Sequence, residues 1–291
     1  MRIIAGVDGG GTKTTLICRC LEDNSDKVFR YGPFNINAIG EQSFRALLSR
    51  MVDDIVKTGE CEALCIGAAG VSNSRMSDIV SDVLGASPIS RWTLVGDDVI
   101  AMEGALDGGP GIIVISGTGS IVLGRDAEGN KTRMGGWGHL IGDEGSGYGI
   151  ARDAFKAISM VLDGVGEETS LMRDFCIGTR TDLISKLYSG EKGDVAAYAV
   201  IVEKAAEAGD KVALEILEDN AVKLAGTVFD VYSRLNLGRT NVAFIGGQIN
   251  HDTLFRRMLS SAISSLSEDM VCIDPIHDAA EGAVMIAGGM V

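Results

Sequence analysis

Residues 2–20, RIIAGVDGGGTKTTLICRC, hold an apolar run that stops at an aspartate and turns back through three glycines. Ile3, Ile4, Ala5 and Val7 lead to Asp8, residues 9–14 (GGGTKT) form the turn, and Leu16, Ile17 and Cys18 return. Bounded apolar runs around a glycine turn predict a β-hairpin. Glycines let the turn backbone come close to a ligand and aim its N–H groups at it. The aspartate is left at the strand end, where it can hold a hydrated cation. That is the chemistry of a metal–triphosphate site. The turn is not a Walker A loop, which needs four residues between its glycines and a Gly-Lys-Ser/Thr end. The plain alternative is a hairpin whose glycines only supply positive φ.

The pattern recurs. Residues 111–116 (GIIVIS) are an apolar strand, Gly117-Thr118-Gly119-Ser120 is a small-residue turn, and 121–124 starts a returning strand. Two copies so far apart do not make a solenoid. They fit duplicated domains, each offering a phosphate-binding hairpin. Between the copies, strand patterns at 27–31, 63–66 and 92–95 alternate with helical spacing at 41–57, 77–84 and 98–106. A loop at 32–40 carries Asn35 and Asn37, and the 63–66 strand runs into the small-residue turn GAAGVS at 67–72. This alternation predicts an α/β domain.

After the second hairpin comes the most glycine-dense stretch: Gly135-Gly136-Trp137-Gly138-His139, then Gly142-Asp143-Glu144-Gly145-Ser146-Gly147. A long helix is predicted from near 148, and the chain is mostly helical to about 265. Apolar spacing of 3.6 residues is clear at 194–208 and 212–235. A strand at 242–245 ends at Gly246-Gly247-Gln248, a helix follows from about 253, then a strand at 270–273 and a small-residue helix at 278–288.

Charge and cysteine usage narrow the function. A net charge of −14, from 26 basic and 40 acidic side chains, excludes wide nucleic-acid or anionic-membrane surfaces. It leaves nucleotide binding open, because backbone N–H groups and Mg²⁺ neutralise a triphosphate locally. No apolar run reaches the roughly 18 residues of a membrane span, and the first residues lack a signal-peptide layout, so a cytoplasmic protein is expected. None of the six cysteines forms a CxxC pair, and most lie in apolar runs, as buried reduced thiols do. Cys61-x3-Cys65 alone is too weak for a metal cluster.

Several residues could carry chemistry. Asp97 and Asp98 sit between a predicted strand and helix; either N-caps that helix, for about 1 kcal/mol, or acts as a general base at a strand's C-terminal end. Trp137, between glycines, is a core residue or an exposed face for a sugar or base. His139 reads as a packed or hydrogen-bonded loop histidine before a catalytic one. Asp143 and Glu144 either cap the next helix or bind substrate hydroxyls.

The segments DGGGTKT (8–14), GDD (96–98), GIIVISGTGS (111–120), GGWGHLIGDEGSGYGIA (135–151) and FIGGQI (244–249) resemble the actin-like ATPase superfamily of sugar kinases, chaperone ATPases and actins. They look most like the branch joining N-acetylglucosamine kinases with the BadF/BadG/BcrA/BcrD ATPases. The segments keep the family's order across essentially the whole chain, and GGWG…GDEGS is the most specific. The resemblance implies an α/β fold of two RNase-H-like (actin-like ATPase) domains with an interdomain cleft, at 1–108 and 109–291, the last helix able to pack back on the first. It implies ATP and Mg²⁺ as cofactors, with Asp8 holding Mg²⁺ through water. Gly10, Gly11, Thr12 and Lys13 would meet the phosphates from one domain and Gly117, Thr118 and Gly119 from the other, while Gly246 and Gly247 contact adenosine. Asp98 would activate the sugar hydroxyl and, with Asn35, Ser120, Gly136, Trp137 and Asp143, line the sugar.

Two departures from the family pattern bear on the expectation. Asp97 stands where an asparagine or another polar residue is common, and Asp98 is preferred as the base for its distance to the SGTGS turn. The ATPase activators of this branch bind an iron–sulfur cluster between subunits through cysteines with no convincing equivalent here, which favours a kinase. The expected function is ATP-dependent phosphorylation of a hexose or N-acetylated amino sugar, N-acetylglucosamine or N-acetylmannosamine, at the 6-hydroxyl. The alternatives are a broad-specificity hexokinase or glucosamine kinase, an ATPase activator of a CoA-ester reductase or dehydratase, and a non-catalytic sensor. Related kinases are usually dimers, so a homodimer is expected, with a small-molecule sugar as substrate and neither nucleic acid nor membrane as partner.

Overall fold

A computed structural model describes residues 1–71 and 73–291; Ser72, the last residue of the GAAGVS turn, lies outside the described residues. The chain forms two compact units, Met1–Gly109 with Pro275–Val291, and Pro110–Asp274.

The first unit contains β1 (Arg2–Gly9), β2 (Thr14–Cys20), β3 (Asp26–Tyr31), α1 (Ile36–Ile39), α2 (Glu41–Thr58), β4 (Glu60–Ala68), α3 (Ser74–Gly85), β5 (Trp92–Gly96) and α4 (Asp97–Ala105). Its sheet runs β3-β2-β1-β4-β5, with β1 antiparallel to β2 and parallel to β4. Successive side chains of a strand point to opposite faces. Ile3, Ala5, Val7, Leu16, Cys18, Leu64 and Ile66 therefore pack with Phe44, Leu48 and Met51 of α2 and with α3. Ile4, Ile17, Ala63 and Cys65 face the other way, against Ile100 of α4. A strand covered on both faces is apolar at nearly every position, as β1 is.

The second unit contains β6 (Gly111–Ser116), β7 (Ser120–Arg125), β8 (Lys131–Gly135), α5 (Gly147–Leu162), α6 (Leu171–Asp174), α7 (Arg180–Tyr188), α8 (Lys192–Ala196), α9 (Ala199–Glu207), α10 (Lys211–Arg234), β9 (Thr240–Ile245), α11 (Leu254–Leu266) and β10 (Met270–Ile273). Its sheet runs β10-β9-β6-β7-β8, again with an antiparallel pair, β6 and β7, beside two parallel strands. Order and strand directions repeat those of the first unit, so the sequence recurrence is a recurrence of topology. One local reading differs, and one strand has no signal in the sequence. The helical spacing over 194–208 is divided into α8 and α9 at Ala197 and Tyr198, where the Tyr198 N–H donates to the Val195 carbonyl (3.1 Å) in a tighter turn, and the Tyr198 ring lies inward on Phe155 (5.1 Å) and Phe175 (4.6 Å). The strand β8, KTRMG, has no apolar alternation and is held as an edge by pairing with β7.

The last helix, α12 (Ala279–Gly288), packs in the first unit on the sheet face that carries Ile4 and Ile17. Small residues let backbones touch there. A Cβ on Gly6 would lie 2.4 Å from the Val284 nitrogen, and one on Gly282 only 2.0 Å from the Ile100 carbonyl oxygen. The Arg19 guanidinium bridges Glu281 (2.6 Å) and Asp26 (2.7 Å), pinning the helix to β2. Among the described residues, no helix is long and apolar enough to cross a membrane.

Candidate functional site

In the first unit, the β1–β2 pairing ends at Gly9 and Thr14, which leaves residues 10–13 as the turn. The Gly10 N–H donates to the Lys13 carbonyl (3.0 Å), the Phe34 N–H donates to the Gly10 carbonyl (2.9 Å), and the Thr14 hydroxyl donates to the Gly32 carbonyl (2.7 Å). The turn and the loop bearing Asn35 are thus one piece. Asn35 itself uses Oδ1 to accept from the Asn37 N–H (3.0 Å), capping α1. Space at Gly11 is open, whereas a Cβ at Gly9 would lie 2.6 Å from the Phe34 ring. Gly11, Thr12 and Lys13 are exposed.

Asp8 ends β1 in a crowded electrostatic setting. Burial pushes its carboxyl above the usual carboxylate range, and the Asp278 and Asp97 carboxylates push it further, against Lys13. Excess negative charge of this kind is what a divalent cation offsets. Among the described residues, no group of three or more His, Cys, Asp or Glu side chains is placed to ligate a metal directly. The donor set therefore fits a hydrated ion reached through water better than a closed cage.

Asp97 and Asp98 open α4, but the N-cap is Gly96. The capping alternative is thereby corrected: each carboxylate serves its neighbour instead. Asp97 Oδ1 accepts from the Asp98 N–H (3.1 Å), and Asp98 Oδ1 from the Val99 N–H (3.0 Å). A Cβ on Gly96 would sit 2.1 Å from Asp98 Oδ1, so the glycine makes room for that carboxylate. No donor among the described residues reaches Asp98 Oδ2. Surrounding protein pushes the Asp97 carboxyl up, yet the residue is open to water, which screens most of that effect.

In the second unit, three motifs far apart in sequence form one hydrogen-bonded body. The β6–β7 pairing ends at Ser116 and Ser120, which leaves 117–119 as a three-residue turn. Ser116 Oγ donates to the Gly145 carbonyl (2.7 Å), Ser120 Oγ to the Glu144 carbonyl (2.8 Å), and the Ser120 N–H to Asp143 Oδ1 (3.2 Å). Asp143 is buried, with φ of 71°, in the left-handed region. Lys192 Nζ lies 2.8 Å from its Oδ2, off the hydrogen-bonding direction of that oxygen, so the contact is an ion pair rather than an aligned hydrogen bond. Gly246, at φ of 109°, presses so close to β6 that a Cβ would meet the Ser116 carbonyl oxygen at 2.2 Å. The Gln248 N–H donates to that same oxygen (3.2 Å), while the space at Gly247 and Gly117 is open.

Asn220, fully buried on α10, anchors this body. Its Oδ1 accepts from the Gly145 N–H (2.9 Å), and its Nδ2 donates to Asp153 Oδ2 (2.9 Å) and the Ile216 carbonyl (3.0 Å). Ser146 caps α5, accepting from the Gly149 N–H (3.1 Å). Gly136, at φ of 68°, donates its N–H to the Ser120 carbonyl (3.0 Å), so the GGWG loop hangs from the same strand. Trp137 is 73% exposed, and His139 packs its ring edge-to-face on Tyr148 at 4.7 Å. Sequence reading missed Lys192 and Asn220. Asn220 left a trace, a polar residue on the stripe of Ile216, Leu217, Ala221 and Leu224; Lys192, in a polar stretch, left none. The cysteines are free, and burial pushes the Cys18, Cys61 and Cys65 thiols up to about 12, which keeps them protonated.

This arrangement of two hairpin turns on sheets of repeated topology has relatives. Residues 5–287 match the BadF/BadG/BcrA/BcrD ATPase family. The chain belongs to that family. It is 35% identical to an N-acetylmuramic acid/N-acetylglucosamine kinase of Clostridium acetobutylicum, over 99% of this chain and 98% of that one. It is 28% identical to an N-acetyl-D-glucosamine kinase of Dictyostelium discoideum, over 98% and 97%. A solved structure from Chromobacterium violaceum, named as an N-acetylglucosamine kinase, is similar with a TM-score of 0.75 at 26% identity, over 99% of both chains. A ROK family glucokinase from Streptomyces griseus, solved with glucose and AMPPNP, shares the fold with a TM-score of 0.58 at 15% identity, over 99% of both chains. The fold is that of the two-domain, actin-like ATPase sugar kinases.

Proposed function

We propose that this member of the family is an ATP-dependent kinase that phosphorylates the 6-hydroxyl of an N-acetylated amino sugar, N-acetylglucosamine or a close derivative. The observation that carries the reading is full-length likeness to a Clostridium acetobutylicum kinase named for N-acetylmuramic acid and N-acetylglucosamine. The site chemistry agrees with it. Asp98 offers a carboxylate oxygen, Oδ2, that no donor among the described residues reaches, held in place by the Oδ1 bond from the Val99 N–H, to take the proton of the attacking hydroxyl. Gly10, Gly11, Thr12 and Lys13 in one turn, and Gly117, Thr118 and Gly119 in the other, are the residues offered to the phosphates: the Gly10 and Gly117 N–H groups close their own turns, and the remaining backbone N–H groups are left for the ligand. Gly247, open beside the fixed Gly246, offers adenosine a flat approach. Asn35, Ser120, Gly136, Trp137 and Asp143 are the residues offered to the sugar. Mg²⁺ held through water by Asp8 would neutralise phosphate charge. Catalysis is then positioning plus charge stabilisation, as phosphoryl transfer requires. The protein is proposed to work as a cytoplasmic homodimer, a setting that keeps its six free cysteines reduced.

An ADP-release assay with MgATP across a panel of amino sugars and hexoses tests the function. Sugar-dependent release, strongest with the N-acetylated sugars, is expected. Release without any sugar dependence, from a brown protein containing iron and labile sulfide, would put an ATPase activator in its place. Replacing Asp98 by Asn should leave sugar binding intact and lower turnover by about 10²–10⁴, the usual contribution of a positioned base. Wild-type turnover in that variant removes Asp98 from the role.

A further inference from the structure

The two turns differ in one respect that the duplication does not explain. The first carries a lysine, Lys13, inside its own loop; the second, Gly117-Thr118-Gly119, carries no charge. Its backbone is nevertheless arranged for an anion. All three of its carbonyls are occupied: Gly117 by the Gly147 N–H (2.8 Å), Thr118 by the Tyr148 N–H (3.4 Å) and Gly119 by the Gly117 N–H (3.0 Å). The N–H groups of Thr118 and Gly119 have no acceptor among the described residues. Spare donors with spent acceptors are the pattern of an anion-binding concavity.

A cation stands directly over this turn. A Cβ on Gly119 would lie 2.9 Å from Lys192 Nζ, and 3.0 and 3.1 Å from the two Asp143 carboxylate oxygens. The Lys192 side chain is 33% exposed, whereas that of Asp143 is 2% exposed. Asp143 is itself immobilised by the Ser120 N–H and by the Gly145–Asn220 anchor one turn away. The ammonium is thus held by a fixed, buried carboxylate rather than by its own flexible stem. An ammonium has three protons, and its ion pair with Asp143 takes none of them in an aligned hydrogen bond, which leaves them for another ligand.

Resting on the kinase reading, we propose that Lys192 is the cation of the second phosphate turn, binding a phosphoryl oxygen of ATP together with the Thr118 and Gly119 N–H groups, with Asp143 as the residue that positions it. Lys192 sits at the start of α8, within the helical stretch of the second unit, so the charge that the turn lacks comes from far along the chain.

Calorimetric titration with MgATP and, separately, with adenosine decides the matter. Losing one charge-assisted hydrogen bond to a phosphate weakens binding about ten- to hundredfold. Lys192→Met should therefore lose that much MgATP affinity and keep its adenosine affinity, and Lys192→Arg should recover most of the loss. Unchanged MgATP affinity, equal losses for both ligands, or a rise confined to the sugar KM would each overturn the proposal. If Lys192→Met does not fold, acetylation of Lys192 in the wild-type protein gives the answer: MgATP should protect it and adenosine should not. Equal labelling overturns the proposal. Failure of the kinase reading registers separately, as absence of sugar-dependent ADP release from the wild-type protein, and the titrations with MgATP and adenosine judge Lys192 either way.

Discussion

Replacing Asn220 by Leu should loosen the 117–119 turn and the 142–147 loop of the second unit. Leucine keeps the branching of asparagine at Cγ but is larger and neither donates nor accepts, and the site on α10 is fully buried. The Gly145 N–H would lose its acceptor in a place that water does not reach, at a cost of about 1–3 kcal/mol. The other two bonds matter less. The Ile216 carbonyl keeps its helical partner, and Asp153 is partly exposed, so water replaces part of what Asn220 gave it. A total of about 2–4 kcal/mol follows. For a unit of this size each kcal/mol lowers Tm by about 2–4 °C, so the expected drop is about 5–15 °C. Thermal unfolding followed by circular dichroism reads that change. Because Gly145 is bonded through its carbonyl to Ser116 and follows Asp143, the 117–119 turn and the Asp143 carboxylate should shift together, raising KM for both ATP and sugar. A Tm within about 2 °C of wild type would refute the anchor.

Two further outcomes are expected. Gly282→Ala places a methyl group 2.0 Å from the Ile100 carbonyl oxygen and 2.6 Å from the Gly104 nitrogen, both rigid main chain. The gain in helix propensity, about 1 kcal/mol, should be outweighed by overpacking, so the denaturant midpoint of the first unit should fall; an unchanged midpoint would mean that α12 can shift freely. Asp8→Asn should raise thermal stability at neutral pH while abolishing MgATP-dependent turnover. The folded Asp8 carboxyl titrates above the usual aspartate value, so its charged form costs stability at neutral pH, and that cost fades as pH falls through the raised value toward the ordinary one. The advantage of the variant should shrink over the same window and vanish below it; a constant advantage across pH would mean that charge is not its cause.

Local patterns made much of the fold legible. The opening hairpin is written in adjacent residues, and its glycines have the space that a ligand-facing turn needs. Strand and helix boundaries came within a few residues where apolar periodicity was strong, as in α2 and α10. They failed where tertiary packing decides. The helical run over 194–208 tightens at Tyr198, whose ring is received by two phenylalanines 23 and 43 positions upstream, a contact that local periodicity does not contain. The capping role offered to Asp97 and Asp98 was lost to Gly96 because the Asp98 carboxylate needs the volume that a Cβ would fill. Of the site, the glycine turns and carboxylates stood out as short motifs, while Asn220 and Lys192 did not, since each acts on a loop about 50 or more residues away.

That separation follows from where the two units depart from the duplication. Both sheets present an antiparallel hairpin beside parallel strands, so both could offer the same turn to a phosphate. The first turn has four residues, 10–13, enough to include a lysine without disturbing the glycines. The second has three, 117–119, and Gly119 is pressed by the Asp143 carboxylate on one side, which leaves no room for a long side chain at that position. In this chain the cation at that turn, Lys192, enters from outside the hairpin. The helical stretch between β8 and β9, with no counterpart between β3 and β4 of comparable length, is the element long enough to carry one back to the turn. The insertion that makes the two units unequal in size is thus also what lets the second turn carry charge.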